Sequence, residues 1–227
     1  MKTIKLFFIL LLSALVVVSG YMVVKEITVQ NQDKEVFKDL RELVDIPAEK
    51  EEMPDTTTDK EAESSEEELN LLRLRAQNVE CIGWIRIEDT NIDYPVMYTP
   101  DNPQKYLRKN FYGVYSQSGV PFLDARCSLE DSNLLIYGHN MKNGTMFSDL
   151  KNYLDSDFRE AHKEIILYTE SGQKVFIVAE VIKTDIYDKR YEKIETDCDR
   201  CLMLSTCYGK AKTGRLLIIA KEAKNNV

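Results

Sequence analysis

The sequence predicts a mainly β fold, an eight-stranded barrel carrying an N-terminal helix and short helical inserts, and three observations lead there. From Cys81 onward the apolar residues fall into short runs rich in Val, Ile, Leu and Tyr, separated by Gly, Pro, Asn and Asp. Eight such runs within about 140 residues is the density of a closed or nearly closed barrel. The composition, 44% hydrophobic and 30% charged over 227 residues with nine Gly and six Pro, is that of a chain that folds into one or two domains. It excludes a collagen-like or wholly disordered protein, and a mean hydropathy of -0.34 leaves room for one membrane span and no more. The net charge, 30 Lys and Arg against 38 Asp and Glu, is -8, the wrong sign for a protein that neutralises phosphates, so no nucleic acid partner is expected.

The chain opens with Lys2 and Lys5, followed by residues 6–24 without a charge, and then Lys25. That run is close to the roughly 20 apolar residues a helix needs to cross a bilayer. Positive charge on the short side keeps that end in the cytoplasm and exports everything beyond Lys25. A cleaved signal peptide is the alternative, with Val18 and Gly20 as the small residues before a cut. The apolar run continues past Gly20 to Val24, which favours a retained anchor. The expected localisation is the cell membrane, single-pass, with an extracellular folded domain.

Between Asp33 and Val44 the residues Val36, Leu40, Leu43 and Val44 recur at helical spacing. They predict a short amphipathic stalk helix or a nascent helix with no partner. Residues 49–68 hold ten acids against Lys50 and Lys60, a local charge of -8 that equals the charge of the whole protein. With Pro47, Pro54 and three consecutive Thr, this stretch cannot bury enough apolar surface to fold and reads as a solvated tether. The expected organisation is an anchor over residues 1–25 with a cytoplasmic end at 1–5, an acidic extracellular stalk over 26–64, and a folded domain over 65–227. The domain opens on the capping box Ser65 to Glu68, ahead of Leu69, Leu72 and Ala76 on one helical face. Strands are predicted over 84–87, 92–97, 120–123, 133–138, 164–169, 174–183, 201–206 and 215–221. Helical inserts are expected over 147–153 and 158–162, and the polar connection 186–199 is long enough for another.

Two histidines are present. His162 lies among charged residues on an expected helix and reads as a surface residue, whereas His139 follows the apolar run Leu134 to Tyr137 at a strand end. There an imidazole is partly desolvated and still reaches a substrate, although taken alone a hydrogen-bonded structural role is the more natural reading of it. The five cysteines, Cys81, Cys127, Cys198, Cys201 and Cys207, are an odd number, so at least one thiol stays free. Cys198 and Cys201 form a C-x-x-C without a second pair or a His set to complete a zinc site, and read as a local disulfide or two free thiols. No metal is expected. Cys207 ends a strand and Arg215 begins the next, and an antiparallel hairpin would make them neighbours. A thiolate attacks carbonyls, an imidazole shuttles protons, and a guanidinium holds a developing oxyanion, so a Cys-His-Arg set suits acyl transfer through a thioester.

The stretch Tyr137-Gly138-His139-Asn140-Met141-Lys142-Asn143-Gly144-Thr145-Met146-Phe147, with Leu204-Ser205-Thr206-Cys207 and Arg215, resembles the sortases, class B in particular. Gly83-Trp84-Ile85, Ile92-Asp93-Tyr94-Pro95-Val96, Asp101-Asn102 and Tyr106-Leu107 extend the likeness over about residues 69–221. The resemblance implies a sortase-type barrel and a transpeptidase that cuts the C-terminal sorting signal of a secreted protein after Thr and passes the acyl group to an amine of a cell-wall peptidoglycan precursor. It assigns His139 as general acid/base, Cys207 as nucleophile and Arg215 as oxyanion or substrate-positioning group, with no cofactor. It places Asn102, Leu107, Tyr137, Ser205 and Thr206 along the groove for the sorting peptide. Met203 stands where the family often has Thr, and the connection 208–214 lacks the acidic residues of some class B members. The competing readings are a cysteine peptidase or amidase that releases the acid, and a membrane-tethered binding module without catalysis. Papain-like enzymes place Cys before His, the reverse of the order here.

Overall fold

The structure, a computed structural model, describes residues 2–45, 71–194 and 199–223. The acidic run, the capping box and Cys198 lie outside the described residues. Two helices come first, α1 (Lys2–Asp45) and α2 (Leu71–Gln77). The barrel strands are β1 (Cys81–Arg86), β2 (Asp93–Met97), β3 (Phe122–Leu123), β4 (Asn133–Tyr137), β5 (Glu164–Thr169), β6 (Gly172–Asp185), β7 (Cys201–Cys207) and β8 (Gly214–Glu222). They close in the order β1-β2-β3-β4-β7-β8-β6-β5, with β2–β3 and β4–β7 parallel and the other neighbours antiparallel. Closure leaves no exposed sheet edge.

Each expected strand is present, and the differences in length have local causes. β3 spans only Phe122–Leu123 because Pro121 has no N–H to extend the ladder; its carbonyl accepts from Met97 N at 2.9 Å. β1 starts three residues earlier than its apolar run, where Cys81 N donates to Asn78 O at the end of the turn from α2. The first insert is a 3-10 helix, Phe147–Leu154. The second is α3 (Ser156–Ala161), started by the Asp155 carboxylate, which accepts from the N–H groups of Asp157 and Phe158. The long polar connection holds α4 (Lys189–Lys193), capped in the same way by Asp188. His162 is half-buried with its ring stacked on Phe158 at 4.0 Å, and its Nδ1 donates to Phe158 O, a structural role.

The expected anchor and the expected stalk helix are a single helix. Neither Pro nor Gly interrupts residues 21–45, and Thr28 and Gln30 bond back to Val24 and Glu26 one turn earlier. Residues 6–24 are exposed along their length, and α1 is long and apolar enough to cross a membrane. Its C-terminal part has a partner, which settles the choice left open by the periodicity. Phe37, Leu40 and Val44 are buried in the same core cluster as the barrel, with the Phe37 ring edge-on to Tyr94 at 5.1 Å and Arg41 ion-paired to Asp93. Burying each of these side chains is worth about 2 kcal/mol as an upper estimate.

Phe37→Ala is expected to lower the unfolding free energy of the full chain in detergent micelles by about 3 kcal/mol, because the cavity opens against Tyr94. Lys38→Ala, on the exposed face one residue along, should stay within about 0.5 kcal/mol of the parent in the same chemical denaturation.

Candidate active site

β4 is apolar without alternation, Leu134, Leu135 and Ile136 all being buried, because the sheet is covered on both faces there. It lies parallel to β7, with Ile136 opposite Leu204 and Tyr137 opposite Ser205. Parallel neighbours run out in the same direction, so two residues further on His139 and Cys207 leave the sheet at one edge. Three bonds stitch that edge: Gly138 N to Ser205 O at 3.1 Å, Thr206 Oγ1 to Gly138 O at 2.7 Å, and Asn140 Nδ2 to Cys207 O at 2.9 Å. The antiparallel β7–β8 hairpin pairs Cys207 with Arg215, as the sequence led us to expect. Three adjacent strands therefore present His139, Cys207 and Arg215 side by side, at a strand spacing of about 4.8 Å.

Gly138 is required by close approach. A Cβ there would stand 2.5 Å from the Phe147 ring, and Phe147 N in turn donates to His139 O at 2.8 Å. The imidazole is half-buried, and its Nε2 lies 2.9 Å from the carbonyl oxygen of Leu107. A carbonyl only accepts, so Nε2 carries the proton and the neutral ring keeps its lone pair on Nδ1. Burial pushes the His139 pKa below 6.5; the Leu107 bond opposes this and the Arg108 charge adds to it. The ring is therefore neutral at physiological pH. Arg215 Nη1 donates to the carbonyls of Lys212 and Gly214, which ties the guanidinium to the hairpin turn.

Among the described free thiols only Cys207 is exposed. Cys81 is pushed up to about 12 by burial and Cys127 is also raised by burial, so both are inert packing residues. Cys201, at the other end of β7, is disulfide-bonded. No group of metal-ligating side chains occurs among the described residues.

His139, Cys207 and Arg215 line one groove of about 390 Å³ together with Leu107, Tyr137, Ser205 and Thr206. Asn102 is exposed and stands beside the groove, next to Pro103 and Gln104, which line it. Its backbone closes the turn before the 3-10 helix Lys105–Leu107, accepting from Lys105 N and donating to Thr99 O. The sequence reading missed Asp124, Ile186 and Tyr191, which also line the groove. Burial raises the Asp124 carboxyl, and the bonds from Arg126 and Tyr137 more than offset this, holding it below its ordinary value. Tyr191 shares a 2.8 Å hydrogen bond with Ser205 Oγ. An acid two residues before an arginine at a strand end was a signal for the first; nothing local marked Tyr191, which arrives from the β6–β7 connection.

A family model for the sortase domain matches residues 85–223. Sortase B of Listeria monocytogenes is 33% identical over 177 residues, covering 65% of this chain and 72% of that protein. The crystal structure of Clostridium perfringens sortase B superposes with a TM-score of 0.61 at 31% identity, over 68% of this chain and all of that one. A sortase B–substrate complex from Staphylococcus aureus gives a TM-score of 0.59 at 28% identity, over 67% of this chain and 84% of that one. The barrel and the chain's motifs agree with these matches along the same residues, and the chain belongs to the sortase family, as a class B cysteine transpeptidase.

Proposed function

We propose that the groove binds the C-terminal sorting signal of a secreted protein and that Cys207 is the nucleophile. The observation that carries this reading is the common edge of β4, β7 and β8, which brings thiol, imidazole and guanidinium to one groove. The imidazole is neutral at physiological pH, and the reactive form arises when a proton passes from the Cys207 thiol to His139 Nδ1. The thiolate attacks the carbonyl carbon of the Thr before the cut, and Arg215 donates to the oxyanion as it forms. The C–N bond then breaks, the departing amine takes the proton from His139, and a thioester to Cys207 remains.

The second half runs in reverse. An amine of a cell-wall peptidoglycan precursor attacks the thioester, gives up its proton to His139, and leaves as a new amide while Cys207 regains its thiol. Leu107, Tyr137, Ser205 and Thr206 line the path of the peptide, with Tyr191 fixing the Ser205 hydroxyl. α1 anchors the chain with Lys2 and Lys5 on the cytoplasmic side and the barrel outside. The three segments, anchor, acidic stalk and catalytic domain, keep the site on the outer face where both substrates are met.

A library of sorting peptides, incubated with the chain and read by mass spectrometry, should leave a covalent acyl adduct on Cys207. Adding an amine should yield amide; acid alone marks a hydrolase, and no cleavage marks a binding module. Cys207→Ala is expected to abolish cleavage, and normal turnover by it would refute the assignment. His139→Ala and Arg215→Ala should each lower kcat/KM by about 10³-fold with unchanged circular dichroism. Because burial lowers the His139 pKa, protonation of the ring, which removes the base, occurs only below 6.5. The acid limb of the kcat/KM profile should accordingly lie below 6.5, where an unburied histidine would place it at that value.

A further inference from the structure

α1 touches two loops that lead toward the active site. Asn143, in the turn that follows His139, donates from Nδ2 to Gln30 Oε1 at 3.4 Å. One turn further along, Asp33 is buried to 4% exposure and accepts from Ser116 Oγ at 2.5 Å. No ion pair reaches this carboxylate among the described residues. Burial pushes its pKa up, and the bonds from Ser116, Ser118 and Asn110 oppose the shift. A buried carboxylate without a cation is costly, and packing alone would be served better by an apolar side chain at that position.

The hydrogen bonds beyond Asp33 account for its presence. Ser116 Oγ, while donating to Asp33, accepts from the N–H groups of Ser118 and Gly119, each at 3.1 Å. Gly119 has φ +61, and a Cβ on it would stand 2.4 Å from Tyr106 O and 2.8 Å from Leu107 O. The loop thus returns flush against the backbone of Leu107, and Val120 N then donates to Tyr106 O at 3.1 Å. Leu107 O is the acceptor that holds the proton of His139 on Nε2. A continuous path of contacts runs from the membrane-anchored helix to the imidazole: Asp33, Ser116, Gly119, Leu107, His139.

We propose that Asp33 is a positioning residue for His139. By holding the loop between Lys105 and Gly119, it keeps the Leu107 carbonyl against Nε2, so that Nδ1 is the nitrogen that exchanges a proton with the thiol and the leaving amine. α1 is then part of the catalytic apparatus as well as an anchor. The proposal rests on the assignment of His139 above, and its test reads the ring itself, so the two fail separately.

The chain has two histidines, which makes nitrogen NMR of the full chain in detergent micelles, labelled with 15N-histidine, direct to assign. At a pH where both rings are neutral, the parent should show His139 as a single tautomer protonated on Nε2. Asp33→Ala should give a mixture of tautomers at His139, an unchanged His162, and a kcat/KM about tenfold lower. Asp33→Asn keeps an oxygen for the Ser116 hydroxyl and should restore the single tautomer and bring activity to within about twofold of the parent. Gly119→Ala, acting on the loop itself with α1 undisturbed, should produce the same mixture. If Asp33→Ala does not fold, Asp33→Ser takes its place, its hydroxyl being too short to span to Ser116. A folded Asp33→Ala or Asp33→Ser with the parent His139 tautomer and parent kcat/KM overturns the proposal, whatever it does to thermal stability. Full activity in His139→Ala would instead overturn the reading beneath it.

Discussion

Leu134, Leu135 and Ile136 lie in register with Leu202, Met203 and Leu204 in a parallel ladder, and the active-site edge depends on that pairing. Side chains alternate along a strand, so a slip of one residue would turn Cys207 to the opposite face of the sheet and put Thr206 in its place. These six side chains are buried, and exposing any one would cost about 2 kcal/mol, which fixes the register far more firmly than the site's own hydrogen bonds could. The hairpin to β8 adds the third member through one cross-strand pair, Cys207 with Arg215. Chemistry at the edge is thus a by-product of packing in the middle of the barrel.

Charge state follows from depth. The imidazole is deep enough to be neutral, and the thiols of Cys81 and Cys127 are deep enough to be unreactive, while Cys207 stands at the exposed end of an otherwise buried strand. A neutral imidazole is the form that can accept a proton, which is the role proposed for His139. The groove walls are held by a separate polar set, Asp124 with Arg126 and Tyr137, and Tyr191 with Ser205, which stiffens the side facing the substrate.

Much of this was legible in the chain. The eight strands announce themselves through apolar runs between turn residues, and the neighbouring of Cys207 and Arg215 follows from a short connection between two strands. The adjacency of His139 to Cys207 does not follow in that way, because the parallel β4–β7 pair joins residues far apart in sequence and no local pattern reports a crossover. Recognisable motifs supplied that step. The docking of α1 was half visible: the expected stripe of Val36, Leu40, Leu43 and Val44 includes two of the buried residues but not Phe37, and a stripe does not name what covers it. The turn containing Pro103 leaves the register of Asn102 open to sequence reasoning, and Asp33 entered only as the first residue of the expected stalk helix.

The central claim is that one thiol, one imidazole and one guanidinium act on the same carbonyl. It is tested most directly by a crystal structure of the chain bearing a thiol-reactive sorting-peptide analogue on Cys207. The account predicts an Arg215 nitrogen within hydrogen-bond distance of the acyl oxygen, His139 Nδ1 facing the position of the departing amine, and Nε2 still on Leu107 O. An analogue seated on Cys207 with Arg215 and His139 both turned away from the acyl group would contradict it.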